Sequence, residues 1–301
     1  MTDIIEEGIE RPSAVALGFF DGLHLGHIEV IKRTLLKDGL APVVFTFNDN
    51  TLLPKFKEKK GHYIIAFEQK AEIFEKIGAE YIYAPDFNDV KDFSARDFVK
   101  KILKDLLKAA VVVCGYDFRF GKGGEGNPAV LKELCAEYGI TCEVVPAVMV
   151  DGETVSSTVI REKIRNGDIE TANRYLGYEL SYNLPVLKGK QIGRTIGFPT
   201  INQQIPDYMV KPKNGVYKSW TIVDGKTYRS ITNIGVKPTV DYDGEALMET
   251  HIIGFNGDLY GKRVTLYFDA FMRKIFKFER VEDLKKQLNR DLIAVTEGNY
   301  D

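Results

Sequence analysis

Cysteine is scarce in this sequence, and its scarcity argues against two kinds of protein. The 301 residues include only three cysteines, Cys114, Cys135 and Cys142, an odd number whose spacing fits neither a disulfide framework nor a zinc site. Cys114 and Cys142 fall in apolar, strand-like runs. We therefore interpret the cysteines as small core side chains.

Long apolar runs are also missing. No stretch is long and apolar enough to span a bilayer, and no apolar segment of the signal-peptide type stands near the N-terminus. The sequence therefore predicts a cytoplasmic protein with no membrane partner.

An excess of charge of one sign is the third absence. Lys and Arg number 41 against 43 Asp and Glu, which gives a net charge of -2. A balanced chain has no bulk attraction for nucleic acid, so we expect no nucleic-acid partner. Any anion must be bound by local groups.

The chain is longer than one domain needs, and its hydrophobic pattern changes near residue 180. We predict a domain over residues 1–180 and a second over residues 181–301. In the first, β-rich runs alternate with amphipathic helical runs such as 28–38 and 67–77, and two short helices over 158–176 end it. Such alternation predicts an α/β fold with a doubly wound parallel sheet, whose ligands bind at the carboxyl ends of the strands. The predicted strands are 14–17, 42–47, 81–83, 110–114 and 142–148.

The second domain has short strands separated by glycine and Asx-Gly turns. Two Asx-Gly pairs, at 224–225 and 256–257, each predict a hairpin, the second joining residues 249–255 to 263–271. We expect a small antiparallel β-barrel followed by a C-terminal helix over about 281–289.

The first strand runs into residues 18–27, which read G-F-F-D-G-L-H-L-G-H, and a helical pattern follows. Strand, glycine turn and helix in this order present free backbone N–H groups and the positive end of a helix dipole to a phosphate chain. His24 and His27 lie on one side of the first helical turn, where both could stabilise charge that develops at phosphorus. A lone pair of histidines at this spacing is usually structural, and the surrounding motif gives this pair its significance.

This motif resembles that of the bacterial FAD synthetases, members of the HxGH nucleotidyltransferase superfamily. Residues 115–121 (G-Y-D-F-R-F-G) and 156–161 (S-S-T-V-I-R) match two further family motifs, whereas residues 48–51 (N-D-N-T) depart from the usual His-Pro pair. The resemblance implies that FMN attacks the α-phosphorus of ATP and that pyrophosphate leaves. It implies three catalytic residues, His24, His27 and Arg161, and the nucleotide-binding residues Gly18, Phe20, Asp21, Gly26, Asp117, Ser157 and Thr158.

A second motif lies in the predicted barrel. Residues 189–202 form a glycine-spaced basic loop that ends in P-T-I-N, and a threonine hydroxyl and an asparagine carbonyl are hard oxygen ligands suited to Mg²⁺. The loop resembles the riboflavin kinase signature, with Ile201 in place of alanine. The resemblance continues through residues 214–217, 233–235, 249–251 and 258–261, and Gly254 stands where the family often has aspartate. It implies that Glu249 is the general base and that Thr200 and Asn202 hold Mg-ATP. The further nucleotide-binding residues expected here are Gly189, Gly193, Arg194, Gly197 and Thr200.

Together the resemblances imply a bifunctional enzyme that phosphorylates riboflavin to FMN and adenylylates FMN to FAD. Its substrates and products would be riboflavin, FMN, FAD, ATP, ADP and pyrophosphate, with Mg²⁺ as cofactor. Two alternatives remain open at this point: one domain has lost its activity, or both pockets serve a non-catalytic flavin or nucleotide sensor. The presence of Glu249 favours an enzyme, because a sensor needs no base.

Overall fold

A computed structural model describes residues 2–48, 62–189, 191–236 and 246–297. The chain divides into two compact units. The first comprises the described residues up to 157 except His62; the second comprises His62 and the described residues from 158 onwards. The predicted division at residue 180, which rests on the change in hydrophobic pattern, remains a prediction.

The first unit alternates strands and helices, as the sequence pattern predicts. Its elements are β1 (Asp3–Ile5), β2 (Ser13–Leu17), α1 (Leu25–Leu35), β3 (Ala41–Phe45), α2 (Phe67–Ile77), β4 (Tyr81–Tyr83), α3 (Phe87–Val90), α4 (Ala95–Asp97) continued by a π-helical stretch (Phe98–Leu106), β5 (Ala109–Gly115), α5 (Pro128–Glu137), β6 (Thr141–Val145), β7 (Met149–Val150) and β8 (Glu153–Thr154).

Six strands of this unit form one sheet in the order β1-β4-β3-β2-β5-β6, and every pairing between neighbours is parallel. The chain moves outward from β2 through β3 to β4, then returns to place β5 on the other side of β2. The order of the strands therefore reverses between β2 and β5, which is where open α/β sheets bind ligands. This confirms the predicted doubly wound parallel sheet.

Local capping explains where the helices of this unit begin and end. α2 has the predicted bounds and ends at Gly78, whose φ of 105° is accessible to glycine. α5 begins after Asn127, whose side-chain oxygen accepts hydrogen bonds from two backbone N–H groups of the first turn, with proline at the first helical position. α1 begins at Leu25, three residues before the predicted start.

The apolar core of the first unit lies between the sheet and its helices. Cys114 and Cys135 are buried in this core, and Cys142 packs against it. All three are free thiols. The interpretation of the cysteines as core side chains is confirmed.

The second unit consists of helices, an antiparallel sheet and a C-terminal helix. Its elements are α6 (Ser157–Asn166, of which Ser157 belongs to the first unit), α7 (Ile169–Leu176), β9 (Ser181–Pro185), α8 (Ile192–Thr195), β10 (Ile201–Gln204), β11 (Gly215–Val223), β12 (Lys226–Val236), β13 (Ala246–Ile252), β14 (Arg263–Arg273) and α9 (Val281–Thr296).

Its six strands follow the order β10-β13-β12-β11-β14-β9, with antiparallel pairing throughout. The two edge strands approach each other through a bridge between Leu187 and Asn202, so the barrel is nearly closed. A chain of buried hydroxyl groups links neighbouring strands, with oxygen–oxygen distances of 2.7 to 2.9 Å. These hydroxyls belong to Ser219, Ser230, Thr232 and Thr250.

One hairpin predicted from the sequence is present and the other is wrong. Asp224 and Gly225 have φ of 49° and 77°, the positive values that a two-residue hairpin turn requires, and they join β11 to β12. Asn256 and Gly257 do not have positive φ, and β13 pairs with β10 and β12 instead of β14. The connection over residues 253–262 therefore carries the chain across the barrel to the far side of β11.

Candidate active sites

In the first unit, the turn after β2 places the two predicted catalytic histidines at the start of α1. His24 is the N-cap, and its Nδ1 accepts a hydrogen bond of 3.4 Å from the backbone N–H of His27. The two rings stack with their centroids 3.6 Å apart. Both side chains therefore stand at the positive end of the helix dipole, as predicted.

The glycines of this turn make room for neighbouring aromatic rings. A Cβ on Gly18 would lie 2.8 Å from the ring of Phe20, and one on Gly26 would lie 3.2 Å from the ring of His24. Phe20 has a φ of 54°, is buried, and meets the His27 ring edge to face at 5.3 Å. The predicted nucleotide-binding residues Gly18, Phe20 and Gly26 thus fix the histidine pair, and their contact with a nucleotide remains a prediction.

Asp21 is buried and ties the turn to two other segments. Its Oδ1 accepts a hydrogen bond of 2.8 Å from the backbone N–H of Ile64. Its backbone carbonyl accepts a hydrogen bond of 2.9 Å from the hydroxyl of Ser157, the residue at the start of α6. Two of the predicted motifs, 18–27 and 156–161, therefore meet through Asp21 and Ser157.

The third motif of this unit follows the strand next to β2. Leu17 and Cys114 are register partners, so β2 and β5 end side by side at the point where the strand order reverses, with Gly18 just beyond β2 and Gly115 the last residue of β5. Asp117 lies two residues beyond Gly115 and is exposed.

Thr158 and Arg161 belong to the second unit. The Arg161 side chain is buried, and its Nε donates a hydrogen bond of 2.5 Å to the backbone carbonyl of His62. Their predicted roles at the triphosphate remain predictions.

The second unit has a cleft of about 360 Å³ on the face of the sheet that α9 covers. Three of the residues predicted from the kinase motif line it together: Thr200, Asn202 and Glu249. Gly193 also lines it, whereas Gly189, Arg194 and Gly197 are not among the lining residues. The remaining lining residues are Gln191, Ile196, Phe198, Val216, Ile231, Asn233, His251, Arg273, Ile275, Phe276, Phe278, Leu284, Leu288 and Asp291.

The strand register explains why Glu249 and Asn202 share this cleft. Glu249 on β13 is the register partner of Asn202 on β10 and of Asn233 on β12. Side chains of directly opposite residues project from the same face of a sheet, so these three form one polar row. Asn202 is buried and Glu249 is half-buried.

Two glycines of the basic loop permit close approach within the loop itself. A Cβ on Gly189 would lie 2.3 Å from Nδ2 of Asn202, and one on Gly193 would lie 2.2 Å from the carbonyl oxygen of Phe198. The backbone N–H of Phe198 also donates to the carbonyl of Gly193 at 2.9 Å. The glycines therefore seat the segment that carries Thr200, a role that the sequence motif alone does not reveal.

Comparisons with known proteins agree with both motifs. The FAD synthetase family model matches residues 6–159, and the riboflavin kinase family model matches residues 176–297. The bifunctional riboflavin kinase/FMN adenylyltransferase of Listeria monocytogenes is 34% identical over 291 residues, which cover 95% of this chain and 92% of that protein. The protein of the same name from Bacillus subtilis is 33% identical, with 94% and 91% covered.

The chain belongs to the bifunctional riboflavin kinase/FMN adenylyltransferase family. It is therefore an ATP-using enzyme with two activities, phosphorylation of riboflavin to FMN and adenylylation of FMN to FAD. A crystal structure described as a macrolide-efflux protein from Streptococcus pneumoniae is also similar, with a TM-score of 0.87, 31% identity and 99% of both chains covered. None of the helices in the described part of the chain has the length and apolar character needed to cross a bilayer.

Residues near each candidate site carry no sequence motif and are found only in the structure. At the kinase cleft, Arg273 at the end of β14 forms a bidentate ion pair with Asp291 of α9, at 2.6 to 3.2 Å. In the first unit, Lys70 of α2 is fully buried with its Nζ 4.6 Å from the ring centroid of Phe19. Arg273 lies in a strand and Asp291 in a helix. No glycine or proline motif marks either residue in the sequence, so only the fold identifies them.

The residues that depart from the family pattern lie in different structural settings. Of the altered loop, Asn48 is described, and its Nδ2 donates to the carbonyl of Ala84 at 3.2 Å, whereas residues 49–51 lie outside the described residues. Ile201 begins β10 beside the cleft without lining it. Gly254 has a φ of 74°, a value that suits glycine in the connection to β14.

Proposed function

We propose that the cleft of the second unit is the riboflavin kinase site, with Glu249 as its general base. The observation that carries this proposal is that a half-buried carboxylate shares one cleft with Thr200 and Asn202 and with the apolar side chains of Ile275 and Phe276. The oxygen groups suit a phosphate–metal complex, and the apolar side chains suit a flat aromatic ring.

Glu249 would accept the proton of the riboflavin 5'-hydroxyl as that oxygen attacks the γ-phosphorus of ATP. The bond between the γ-phosphorus and the bridging oxygen breaks, and ADP leaves. Phosphoryl transfer needs little covalent participation from the protein, so position and charge supply most of the rate. Asn202 and Asn233, on either side of Glu249 in the register, would orient its carboxylate.

We further propose Mg²⁺ as the metal of this site. Mg²⁺ prefers hard oxygen ligands and is usually held by few protein groups together with nucleotide phosphates. Thr200 and Asn202 supply such oxygens at the cleft. When bound, Mg²⁺ would neutralise phosphate charge.

For FMN adenylylation we propose the turn of residues 18–27, with His24 and His27 as donors to the reacting phosphate. The FMN phosphate would attack the α-phosphorus of ATP, and the bond to the β-phosphate oxygen would break to release pyrophosphate. The stacked histidines at the start of α1 support this proposal. Asp117 and Ser157, which belong to the same unit as the histidines, would contact the nucleotide. The enzyme would act in the cytoplasm.

A direct assay tests both activities, and the substitutions Glu249→Gln and His27→Ala then test their assignment to the two sites. Purified full-length protein is incubated with riboflavin, ATP and Mg²⁺, and FMN, FAD, ADP and pyrophosphate are measured by chromatography. We expect both flavin products. FMN without FAD would mean that only the kinase works. Binding of both flavins without turnover would support the sensor instead.

A further inference from the structure

His251 connects the catalytic strand to the loop that carries Thr200. It follows Glu249 by two residues on β13 and lines the same cleft. Its Nδ1 lies 2.8 Å from the backbone carbonyl oxygen of Pro199, and its ring meets the ring of Phe198 edge to face at 5.3 Å.

This hydrogen bond stands where the ladder between β10 and β13 stops. The last paired residues are Ile201 and Thr250, so continuing the register would place Thr200 opposite His251. Pro199 has no N–H to donate, and the main-chain pairing cannot extend through it. The imidazole therefore donates the hydrogen bond to the Pro199 carbonyl, in place of a backbone N–H.

The bond also shows which ring nitrogen must carry a hydrogen. A carbonyl oxygen only accepts hydrogen bonds, so Nδ1 of His251 must carry a hydrogen. On the other side of the segment, the N–H of Phe198 donates to the carbonyl of Gly193 at 2.9 Å. The segment between Gly197 and Thr200 is thus held from both sides, by Gly193 and by His251.

We infer that His251 is a positioning residue of the kinase reaction: its Nδ1–H holds the Pro199 carbonyl and so keeps the Thr200 hydroxyl at the cleft. The inference rests on the proposed kinase site, because it assigns His251 a role through Thr200 and MgATP. His251 itself need not touch the flavin or the phosphates.

Two substitutions at one position test the role. The amide nitrogen of asparagine lies near the position of Nδ1, whereas that of glutamine reaches towards the position of Nε2. We expect His251→Asn to keep MgATP use near that of the unchanged enzyme. His251→Gln should raise the KM for MgATP and the Mg²⁺ concentration needed for half-maximal rate by about 3- to 10-fold, the cost of one hydrogen bond. The KM for riboflavin and the conversion of supplied FMN to FAD should change little.

Three outcomes would overturn the inference. In one, both variants behave like the unchanged enzyme. In another, both lose kinase activity equally together with thermal stability, which would mean that the ring only supports the fold. In the third, the KM for riboflavin rises and that for MgATP does not, which would place His251 at the flavin.

A measurement on the unsubstituted protein tests the inference even if the variants fail to fold. The chain has only four histidines, so the ¹⁵N imidazole signals of the full-length protein can be assigned by through-bond correlation of each ring to its own backbone. We expect the hydrogen on Nδ1 of His251, and a bare Nδ1 would refute the inference. This test holds even if the unchanged protein shows no kinase activity, in which case the proposed kinase site fails while the hydrogen bond is still decided.

Discussion

The two candidate sites of this chain are assembled in different ways. In the first unit, one continuous segment from β2 through the turn to α1 brings both histidines to the switch point of a parallel sheet. In the second unit, the cleft takes residues from α8 and the loop before β10, from the four strands β10 to β13, and from the end of β14 with α9. The histidine pair can be recognised from one continuous motif, whereas the adjacency of the residues in the cleft follows only from the strand register.

Because the two sites are built from different residues, a single substitution should impair one activity and leave the other intact. The largest effect is expected for Glu249→Gln, which preserves shape and hydrogen bonding and removes the proposed base. FMN formation should slow by about 10²- to 10⁴-fold, while ATP and riboflavin still bind. The assay is steady-state FMN production, with supplied FMN converted to FAD at the unchanged rate as the internal control. Normal riboflavin phosphorylation by this variant would assign the proton to another acceptor.

His27→Ala is the corresponding change at the histidine pair of the first unit. Deletion of one preorganised donor should lower FAD formation by about 10²- to 10³-fold and leave riboflavin phosphorylation intact, so that FMN accumulates. Glu29→Ala, an exposed side chain on the same helix, is the matched control and should leave FAD formation unchanged. Equal loss of both activities in the histidine variant would indicate misfolding or a shared site.

The order of strands and helices in the first unit follows from the sequence because its signals are local. Apolar periodicity and caps such as Asn127 and Gly78 fix the helices, and alternation with strands fixes the parallel sheet. The start of α1 was predicted three residues too late, because glycine and histidine are poor helix formers and His24 acts as the cap.

In the second unit the two Asx-Gly pairs predict strands near β11 to β14 and fail on one pairing, whereas β9 and β10 were not predicted. Asn256-Gly257 has the composition of a tight turn, but the backbone there does not adopt positive φ and the strands on either side pair elsewhere. Strand pairing is decided by burial across the whole barrel, which no local pattern encodes. For the same reason Glu249 and Asn202 were found from motifs, while their adjacency had to come from the register.

The buried ion pair between Arg273 and Asp291 tests the part of the cleft that the motifs did not reveal. The Asp291 side chain is only 4% exposed, and its partner is 17% exposed. Asp291→Ala leaves a poorly solvated guanidinium unpaired, so the free energy of unfolding should fall by about 3 kcal/mol. Chemical denaturation followed by Trp220 fluorescence measures the change.

The exposed pair between Arg280 and Asp283 provides the control for that measurement. Their side chains are 67% and 41% exposed, so solvent screens the attraction and Asp283→Ala should change stability little. A fall of similar size in both variants would show that burial of the Arg273 pair is unimportant. A raised KM for riboflavin in Asp291→Ala alone would place the pair at the flavin end of the cleft.

The smallest expected effect belongs to Asn233, the third member of the polar row. It faces Glu249 across β12 and β13 and lines the cleft, yet it carries no charge and takes no proton. Loss of one neutral hydrogen bond costs about 1 kcal/mol, so Asn233→Ala should slow FMN formation only about 2- to 10-fold. Asn256→Ala, an exposed position in the connection between β13 and β14, should leave the rate unchanged. Because orientation of Glu249 is the proposed role, the double variant Asn233→Ala with Glu249→Gln should be no slower than Glu249→Gln alone. Additive losses would mean that Asn233 contacts the substrate directly, and the row would then be a binding surface as well as a support for the base.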